Sequence, residues 1–173
     1  MDHQPTDPPE VPNGIEFAPW NTVVESDDLH MVRLRYGEGP SKVDFPSDGF
    51  ALELPGDEVG RTSRLEATFL SREKRAAVVF YFENVSAFRV LDEHGLLDIW
   101  NASMHLPRPA NSTFKVRGHK WQEESFLSWE MFDCKFSLMI ATNWDCLEVV
   151  TADEPRVELK PAIVTEYRVE SER

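Results

Sequence analysis

Apolar and polar residues alternate with a period of two over several short stretches of the chain, which is the pattern of a strand with one buried face. The alternating apolar positions are Val32, Leu34 and Tyr36, then Phe50, Leu52 and Leu54, then Leu65, Ala67 and Phe69. The run AAVVFYF, residues Ala76 to Phe82, is apolar throughout and rich in β-branched and aromatic residues. It predicts a central strand that is covered on both faces.

The C-terminal third of the chain repeats the strand pattern. Strands are predicted over Phe136 to Ala141, Cys146 to Thr151 and Ile163 to Val169. The interval from Thr142 to Asp145 has the length of a hairpin turn, so the first two of these strands are expected to pair.

The segment Gly118 to Phe132 is the main helix candidate. Leu127, Trp129 and Met131 would also line one face of a strand, so periodicity leaves both structures open here. We predict a helix. About eight to ten strands with at most one or two short helices indicate a mainly β or α+β fold, either an antiparallel sandwich, a barrel or a curved sheet.

The chain divides into a tail and one domain. Residues 1–13 contain four prolines and three acidic residues, and they predict a flexible acidic tail. Residues 14–173 have the length of a single globular β-rich domain.

The net charge of the chain limits the classes of partner that we expect. The chain has 18 Lys and Arg against 31 Asp and Glu, for a net charge of −13. Such a charge repels nucleic acid and anionic membranes unless the basic residues gather on one face, and no such gathering is evident in the sequence. We expect neither of these partners, and a basic protein is the natural complement.

Other features point to the cytoplasm. The N-terminal residues MDHQPTDPPEVPNG lack the basic and apolar regions of a secretory signal. No apolar run approaches the roughly 18 residues of a membrane span. The two cysteines imply no disulfide framework, and Cys146 lies in an alternating segment that predicts a buried structural cysteine. The oligomeric state is left open.

The sequence contains no motif for chemistry. A dinucleotide-binding glycine pattern, a P-loop, a zinc helix, a calcium loop and a nucleophile elbow are all absent from it. Its five histidines are not spaced as metal ligands. We therefore assign no catalytic residue, metal or cofactor, and an enzyme is less expected than a binding protein.

Tryptophan provides the candidate binding surface. Trp121 and Trp129 flank Glu123, Glu124 and Glu130 in the helix candidate. A surface that mixes aromatic and acidic side chains suits a basic partner. The first hypothesis is therefore a non-enzymatic protein-binding module with an acidic, aromatic-containing face. Small size, β-rich pattern and acidity are also the character of the immunity proteins that neutralise bacterial toxins, although no motif carries that likeness.

Two alternatives stay open. One is a small-molecule-binding protein or enzyme with a pocket in a β-barrel or against a curved sheet, and with Asp92, Glu93 and His94 at the pocket rim. These three residues form a polar turn between apolar stretches. The other alternative is a structural protein that assembles with copies of itself through edge strands or an aromatic patch.

Overall fold

A computed structural model describes residues 14–37, 42–53 and 64–166. The tail predicted for residues 1–13 lies outside these ranges. The described part contains eleven strands in three antiparallel sheets, together with three short α-helices and one 3-10 helix. This confirms the mainly β or α+β fold.

The eleven strands are numbered in chain order. They are β1 (Glu16–Pro19), β2 (Leu29–Tyr36), β3 (Lys42–Phe45), β4 (Phe50–Glu53), β5 (Leu65–Ser71), β6 (Ala76–Phe82), β7 (Ala87–Leu91), β8 (Thr113–Arg117), β9 (Ser137–Ile140), β10 (Cys146–Val150) and β11 (Arg156–Pro161). The helices lie in the two longest connections, from β7 to β8 and from β8 to β9. Sheet A has the order β1-β8-β9-β10-β7, sheet B has the order β11-β6-β5-β2, and β3 pairs with β4 alone.

Sheets A and B pack face to face as a sandwich. The alternation of β5 and the apolar run of β6 supply one side of the core, and the inward residues of β9 and β10 supply the other. The buried residues of these four strands in this core are Leu65, Ala67, Phe69, Val78, Phe80, Phe82, Leu138, Ile140, Leu147 and Val149. Side chains thus fill the space between the sheets, which is the sandwich among the architectures predicted.

Helices cover the second face of sheet A. They are the 3-10 helix Glu93–Leu96, α1 (Leu97–Ala102), α2 (Lys120–Glu124) and α3 (Phe126–Glu130). Ile99 of α1 packs in one cluster with Phe114 and Met139 of the sheet, and Trp129 of α3 packs with Val150. Sheet A is therefore the middle of three layers. No helix of the described ranges is long and apolar enough to cross a membrane.

The predicted elements compare well with this structure. The strand predicted over Ala76 to Phe82 is confirmed as β6, between β5 and β11. The helix predicted within Gly118 to Phe132 is confirmed as two short helices, α2 and α3, that meet at Ser125. Leu54, the last apolar position predicted for the β4 strand, lies outside the described residues.

The strand predicted over Ile163 to Val169 is wrong. Within the described residues the last strand is β11, which ends at Pro161, and residues 162–166 form no strand. Proline has no backbone N–H to continue the ladder with β6, and Ile163 is 98% exposed. Residues 167–169 lie outside the described ranges.

A bulge breaks the alternation predicted for β2. The register against β5 shifts between Met31 and Arg33, where Met31 pairs with Phe69 and Arg33 with Thr68. The extra residue is Val32, which is 54% exposed, whereas Leu34 packs against the core. One inserted residue moves later side chains to the other face, so Val32 and Leu34 do not share one.

Phe80→Ala should lower the free energy of unfolding by about 3–5 kcal/mol, because its ring is fully buried between Trp20 and Phe69. Urea unfolding monitored by circular dichroism measures this cost. Leu70→Ala on β5 is the matched control, since Leu70 is 42% exposed and should cost under about 1 kcal/mol. Equal costs for the two variants would contradict the sandwich core.

Candidate functional site

A carboxylate lies fully buried in sheet A. Cys146, Glu148 and Val150 of β10 face the helical layer, and Glu148 has no exposed surface. Its Oε2 accepts a hydrogen bond from Nε of Arg89 at 2.7 Å, and Nη2 of Arg89 lies in ion-pair contact with the same oxygen, also at 2.7 Å. Its Oε1 accepts from Nε2 of His119 at 2.6 Å and from the Ser137 hydroxyl at 2.5 Å. We call these four residues the Glu148 network.

Strand register brings most of this network together. Arg89 of β7 lies directly opposite Glu148 of β10. On the other side of β10, Glu148 pairs with Met139 of β9. Ser137 lies two residues before Met139 and therefore on the same face of the sheet. Three strands of one sheet therefore supply the acid, its counter-charge and one hydroxyl.

The fourth member comes from the turn between β8 and α2. Gly118 has a φ of +76°, and a Cβ there would lie 2.1 Å from the carbonyl oxygen of Gly14. Only glycine fits this close approach, which turns the chain so that His119 precedes α2 as its N-cap.

His119 caps the helix with its side chain. Its Nδ1 accepts the backbone N–H of Gln122 at 3.3 Å, while the Gln122 side chain accepts the backbone N–H of Gly118 at 2.6 Å. This exchange is similar to a capping box, with histidine as the N-cap residue. Because Nδ1 accepts, the ring proton is on Nε2, which donates to Glu148.

The network keeps Glu148 ionised. Burial alone raises the pKa of a carboxyl group, but the hydrogen bond and charge of His119, the charge of Arg89 and the Ser137 hydroxyl outweigh it. The pKa of Glu148 is consequently below its ordinary value of 4.5. At neutral pH the Glu148 carboxylate is therefore ionised and paired with the Arg89 guanidinium.

Tryptophans enclose the network. The Trp121 ring lies 4.5 Å from the Arg89 guanidinium, a cation–π contact. Trp129 meets Trp121 edge to face at 5.0 Å and is only 2% exposed. The expectation that Trp129 is a surface residue is therefore wrong, because α3 turns its ring onto sheet A, where it packs with Val150.

A cleft of about 440 Å³ opens beside the network, between α1 and α2. We call it the helix cleft. Its polar lining residues are Arg89, Asp98, Asn101, His119, Lys120 and Glu124, and Trp121 and Ile99 are among its apolar ones.

Only some of the predicted binding residues line the helix cleft. Trp121 and Glu124 line it, whereas Glu123 and Glu130 are exposed on α2 and α3 and are not among its lining residues. Trp129 lies beneath Trp121.

The predicted rim does not line the helix cleft, although Gly95, the next residue along the chain, does. Asp92 accepts the Gly95 N–H at 2.8 Å and is exposed, as is His94. Asp92 thus caps the 3-10 helix. The side chain of Glu93 lies outside the described part of the structure.

Sequence reasoning missed Glu148, Arg89 and His119 as site residues. One signal was present, because Glu148 is a single acid in a short strand whose other residues are all apolar. Such an acid is either exposed at an edge or compensated inside. The histidine followed three residues later by glutamine was a second signal, for a helix start.

The chain matches no protein-family model, and comparison with curated proteins and with solved structures finds no match. The geometry of the site is thus the evidence about function. Within residues 14–37, 42–53 and 64–166, no three His, Cys, Asp or Glu side chains are grouped closely enough to hold a metal ion.

The groups best suited to chemistry are already bonded to one another. Both ring nitrogens of His119 and both oxygens of Glu148 have partners, and Ser137 is fully buried. Burial, together with the charges of Asp133 and Asp153, raises the pKa of Cys134 to about 11, so its thiol stays protonated at neutral pH.

A second cleft, of about 460 Å³, also contains acidic side chains. Asp27 there accepts the Ser71 hydroxyl at 2.6 Å and lies 3.8 Å from Lys74, and Asp28 lies 3.9 Å from Arg72. Cations therefore accompany the acids of this cleft.

Basic residues are concentrated on the outer face of sheet B, although no such concentration was evident in the sequence. Alternation on the edge strands β2 and β11 places Arg33, Arg35, Arg156 and Lys160 on this face. Glutamates stand between them and form ion pairs, such as Arg33 with Glu66 at 3.5 Å. Alternating signs do not match a continuous phosphate backbone, and the absence of a nucleic-acid partner stays a prediction.

Glu148→Ala should lower the free energy of unfolding by about 3–5 kcal/mol at neutral pH, because it deprives the partly buried Arg89 of its counter-charge and the buried His119 and Ser137 of their acceptor. The folded-state pKa of Glu148 is lowered, so its contribution is complete above pH 4.5 and is lost as the pH falls further. The gap between variant and wild type should therefore narrow in acid. Urea unfolding at several pH values measures it.

Glu158→Ala is the control for this substitution. Glu158 also lies on a strand and pairs with Lys160, but its side chain is 39% exposed. Exposed ion pairs contribute about 0–1 kcal/mol. If Glu148→Ala costs no more than Glu158→Ala, the buried network does not stabilise the fold as described.

Trp129→Phe should cost less than half of what Trp129→Ala costs, since the buried indole N–H has no hydrogen-bond partner to lose. The alanine variant leaves a cavity and should cost about 3–5 kcal/mol. Urea unfolding of both variants decides this. Equal costs would mean that the indole nitrogen makes a stabilising bond.

Proposed function

We propose that the protein is a non-enzymatic binding module whose helical layer receives a basic protein partner. Helices α1, α2 and α3 carry four acidic residues, Asp98, Glu123, Glu124 and Glu130, against one basic residue, Lys120. These three helices together therefore have a net charge of −3. A field of one sign on one face speeds the encounter with a partner of the opposite sign.

The observation that carries this proposal is the saturation of the Glu148 network beside the helix cleft. Glu148 compensates Arg89, and Lys120 pairs with Glu124 at 3.4 Å, so Asp98 adds an acid that these pairs do not balance. A lysine or arginine of the partner would contact the Asp98 carboxylate and the apolar part of the Trp121 ring in the same cleft. The acid–base pair next to this cleft, Glu148 and His119, is already hydrogen-bonded to Arg89 and to the Gln122 N–H.

The same features support a more specific proposal about the kind of partner and the cellular compartment. A small acidic domain that binds a basic protein would act as immunity proteins do when they neutralise toxins. Cys134 and Cys146 are both buried and form no disulfide with each other, which suits the reducing cytoplasm that we expect for this protein.

Reversing the charges of Glu123 and Glu124 to lysine should weaken binding mainly through a slower association rate, by about tenfold or more at low salt. The partner is first isolated from native lysate at low salt, and surface plasmon resonance then measures both rates. Wild-type binding should also weaken as salt approaches about 0.5 M. Circular dichroism verifies that the variant is folded.

Glu73→Lys is the matched control, because Glu73 lines the second cleft. It should leave the association rate within about twofold of the wild type, since charges beyond a Debye length of about 10 Å are screened. A partner that responds to Glu73→Lys and ignores the α2 variant would place the binding surface elsewhere. A partner indifferent to both variants and to salt would contradict an acidic binding surface.

The helix cleft itself favours a second candidate, a small-molecule-binding protein. Its volume of about 440 Å³ falls within the range of ligand sites, and polar side chains converge on it from two helices and β7. A thermal-shift screen against a metabolite library tests this candidate. A ligand whose stabilisation disappears in Asp98→Asn, but persists in Glu130→Gln, would favour the cleft as a small-molecule site.

A further inference from the structure

The outward face of α3 is apolar. Leu127 and Met131 each lie two residues from Trp129, and therefore on the opposite side of a helix with about 3.6 residues per turn. The Trp129 ring packs on sheet A and is 2% exposed, so these two side chains point away from the protein. They are 69% and 75% exposed. We call Leu127 and Met131 the α3 strip.

The two side chains of the strip are neighbours. The Met131 N–H donates to the Leu127 carbonyl oxygen at 3.1 Å, and Met131 itself has helical φ and ψ angles of −61° and −22°. Residues four apart on a helix share one face. Phe132, the next residue, is 43% exposed and extends the apolar surface beyond the end of the helix.

Packing on sheet A does not account for the α3 strip. A helix that only covers a sheet ordinarily carries polar side chains on its outward face, as α2 does with Glu123. On α3 the residue that meets the sheet and the residues that face away from it are all large and apolar. Methionine is also unbranched and flexible, so it adapts to the shape of a partner.

Acidic side chains lie on either side of the α3 strip along the chain. Residues 120–135 contain two lysines, Lys120 and Lys135, and four acids, Glu123, Glu124, Glu130 and Asp133. Lys120 pairs with Glu124 at 3.4 Å, whereas Glu130 and Asp133 form no ion pair with another described residue. A partner that covers this surface therefore has to offer apolar and basic side chains together.

We propose that the α3 strip is the docking site of an amphipathic basic helix of the partner. The inference rests on the proposed function and specifies the segment that the partner contributes. The side chains of one helix pack into the gaps between side chains four residues apart on another, which is the spacing of Leu127 and Met131. Apolar residues at i, i+3, i+4 and i+7 would cover the strip, and flanking lysines or arginines would lie near Glu130 and Asp133.

The probe is a synthetic peptide of roughly 14 residues, made of leucine and lysine with the leucines at helical spacing. A second peptide has the same composition in an order that spreads the leucines around the helix. Fluorescence anisotropy of the labelled peptides measures their affinity for the full-length protein at low salt. The amphipathic peptide should bind about tenfold or more tightly than the other, and circular dichroism should show that it gains helix on binding.

Leu127→Gln combined with Met131→Gln is the decisive variant. It changes no charge, and glutamine is a good helix former, so α3 should persist. The variant should bind the amphipathic peptide about tenfold or more weakly, because apolar anchors supply most of the affinity of such surfaces. Ile163→Gln is the matched control, since Ile163 is 98% exposed beyond β11. It should leave the affinity within about twofold of the wild type.

Four results would overturn the inference. They are equal binding of the two peptides by the wild type, binding of neither, undiminished binding of the amphipathic peptide by the double variant, and an equal loss in Ile163→Gln. Should the double variant fail to fold, the comparison of the two peptides on the wild type still decides.

The proposed function fails under different results. If both peptides bind equally and reversal of the Glu123 and Glu124 charges weakens both, the acidic binding surface stands and only the docking site on α3 is wrong. If neither peptide binds, the docking site is wrong, and the partner isolated from lysate tests the acidic surface separately. A loss confined to the amphipathic peptide in the double variant supports the docking site.

Discussion

The burial of one carboxylate in sheet A is the constraint on which the helical side of this protein depends. An ionised side chain without exposed surface is tolerated only where opposite charge and hydrogen-bond donors meet both of its oxygens. Glu148 obtains them from Arg89, His119 and Ser137, which come from three other segments of the chain. The path of β7, the pairing of β9 and the start of α2 are therefore all tied to one residue of β10.

This constraint also explains why the two faces of sheet A differ. On its inner face, β9 and β10 meet sheet B through aliphatic side chains, and such a core tolerates exchange between residues of similar volume. Its outer face carries a polar network between two apolar clusters. A network of this kind is directional, so it fixes where α2 lies as well as whether the helix packs.

The sequence predicted the elements whose pattern is local and uniform. β6 is apolar at every position, and the helical segment after Gly118 was recognised despite its competing strand pattern. The bulge at Val32 was not predictable from alternation, because only the register against β5 reveals the extra residue. Alternation also predicted a strand after Pro161, where the described residues 162–166 form none, because the ladder with β6 ends at the pair of Pro161 with Ala76.

The site was less predictable than the fold for a related reason. Trp121 and Glu124 were identified from composition, and both line the helix cleft. Arg89 and Glu148 are far apart in the sequence and acquire meaning only when β7 and β10 are paired. Composition also suggested that Trp129 is exposed, whereas one turn of α3 decides which ring faces the sheet.

The saturation of the Glu148 network favours recognition over catalysis. A general base needs a nitrogen or oxygen that can reach a substrate proton, and the atoms of His119 and Glu148 that could do this already hold each other and the helix. The same bonds fix Arg89 and support Trp121 before any partner arrives. Side chains positioned in advance lose little freedom on binding, which raises affinity without further contacts. The hydrogen bonds that occupy the acid–base groups of the Glu148 network therefore also preorganise the wall of the helix cleft.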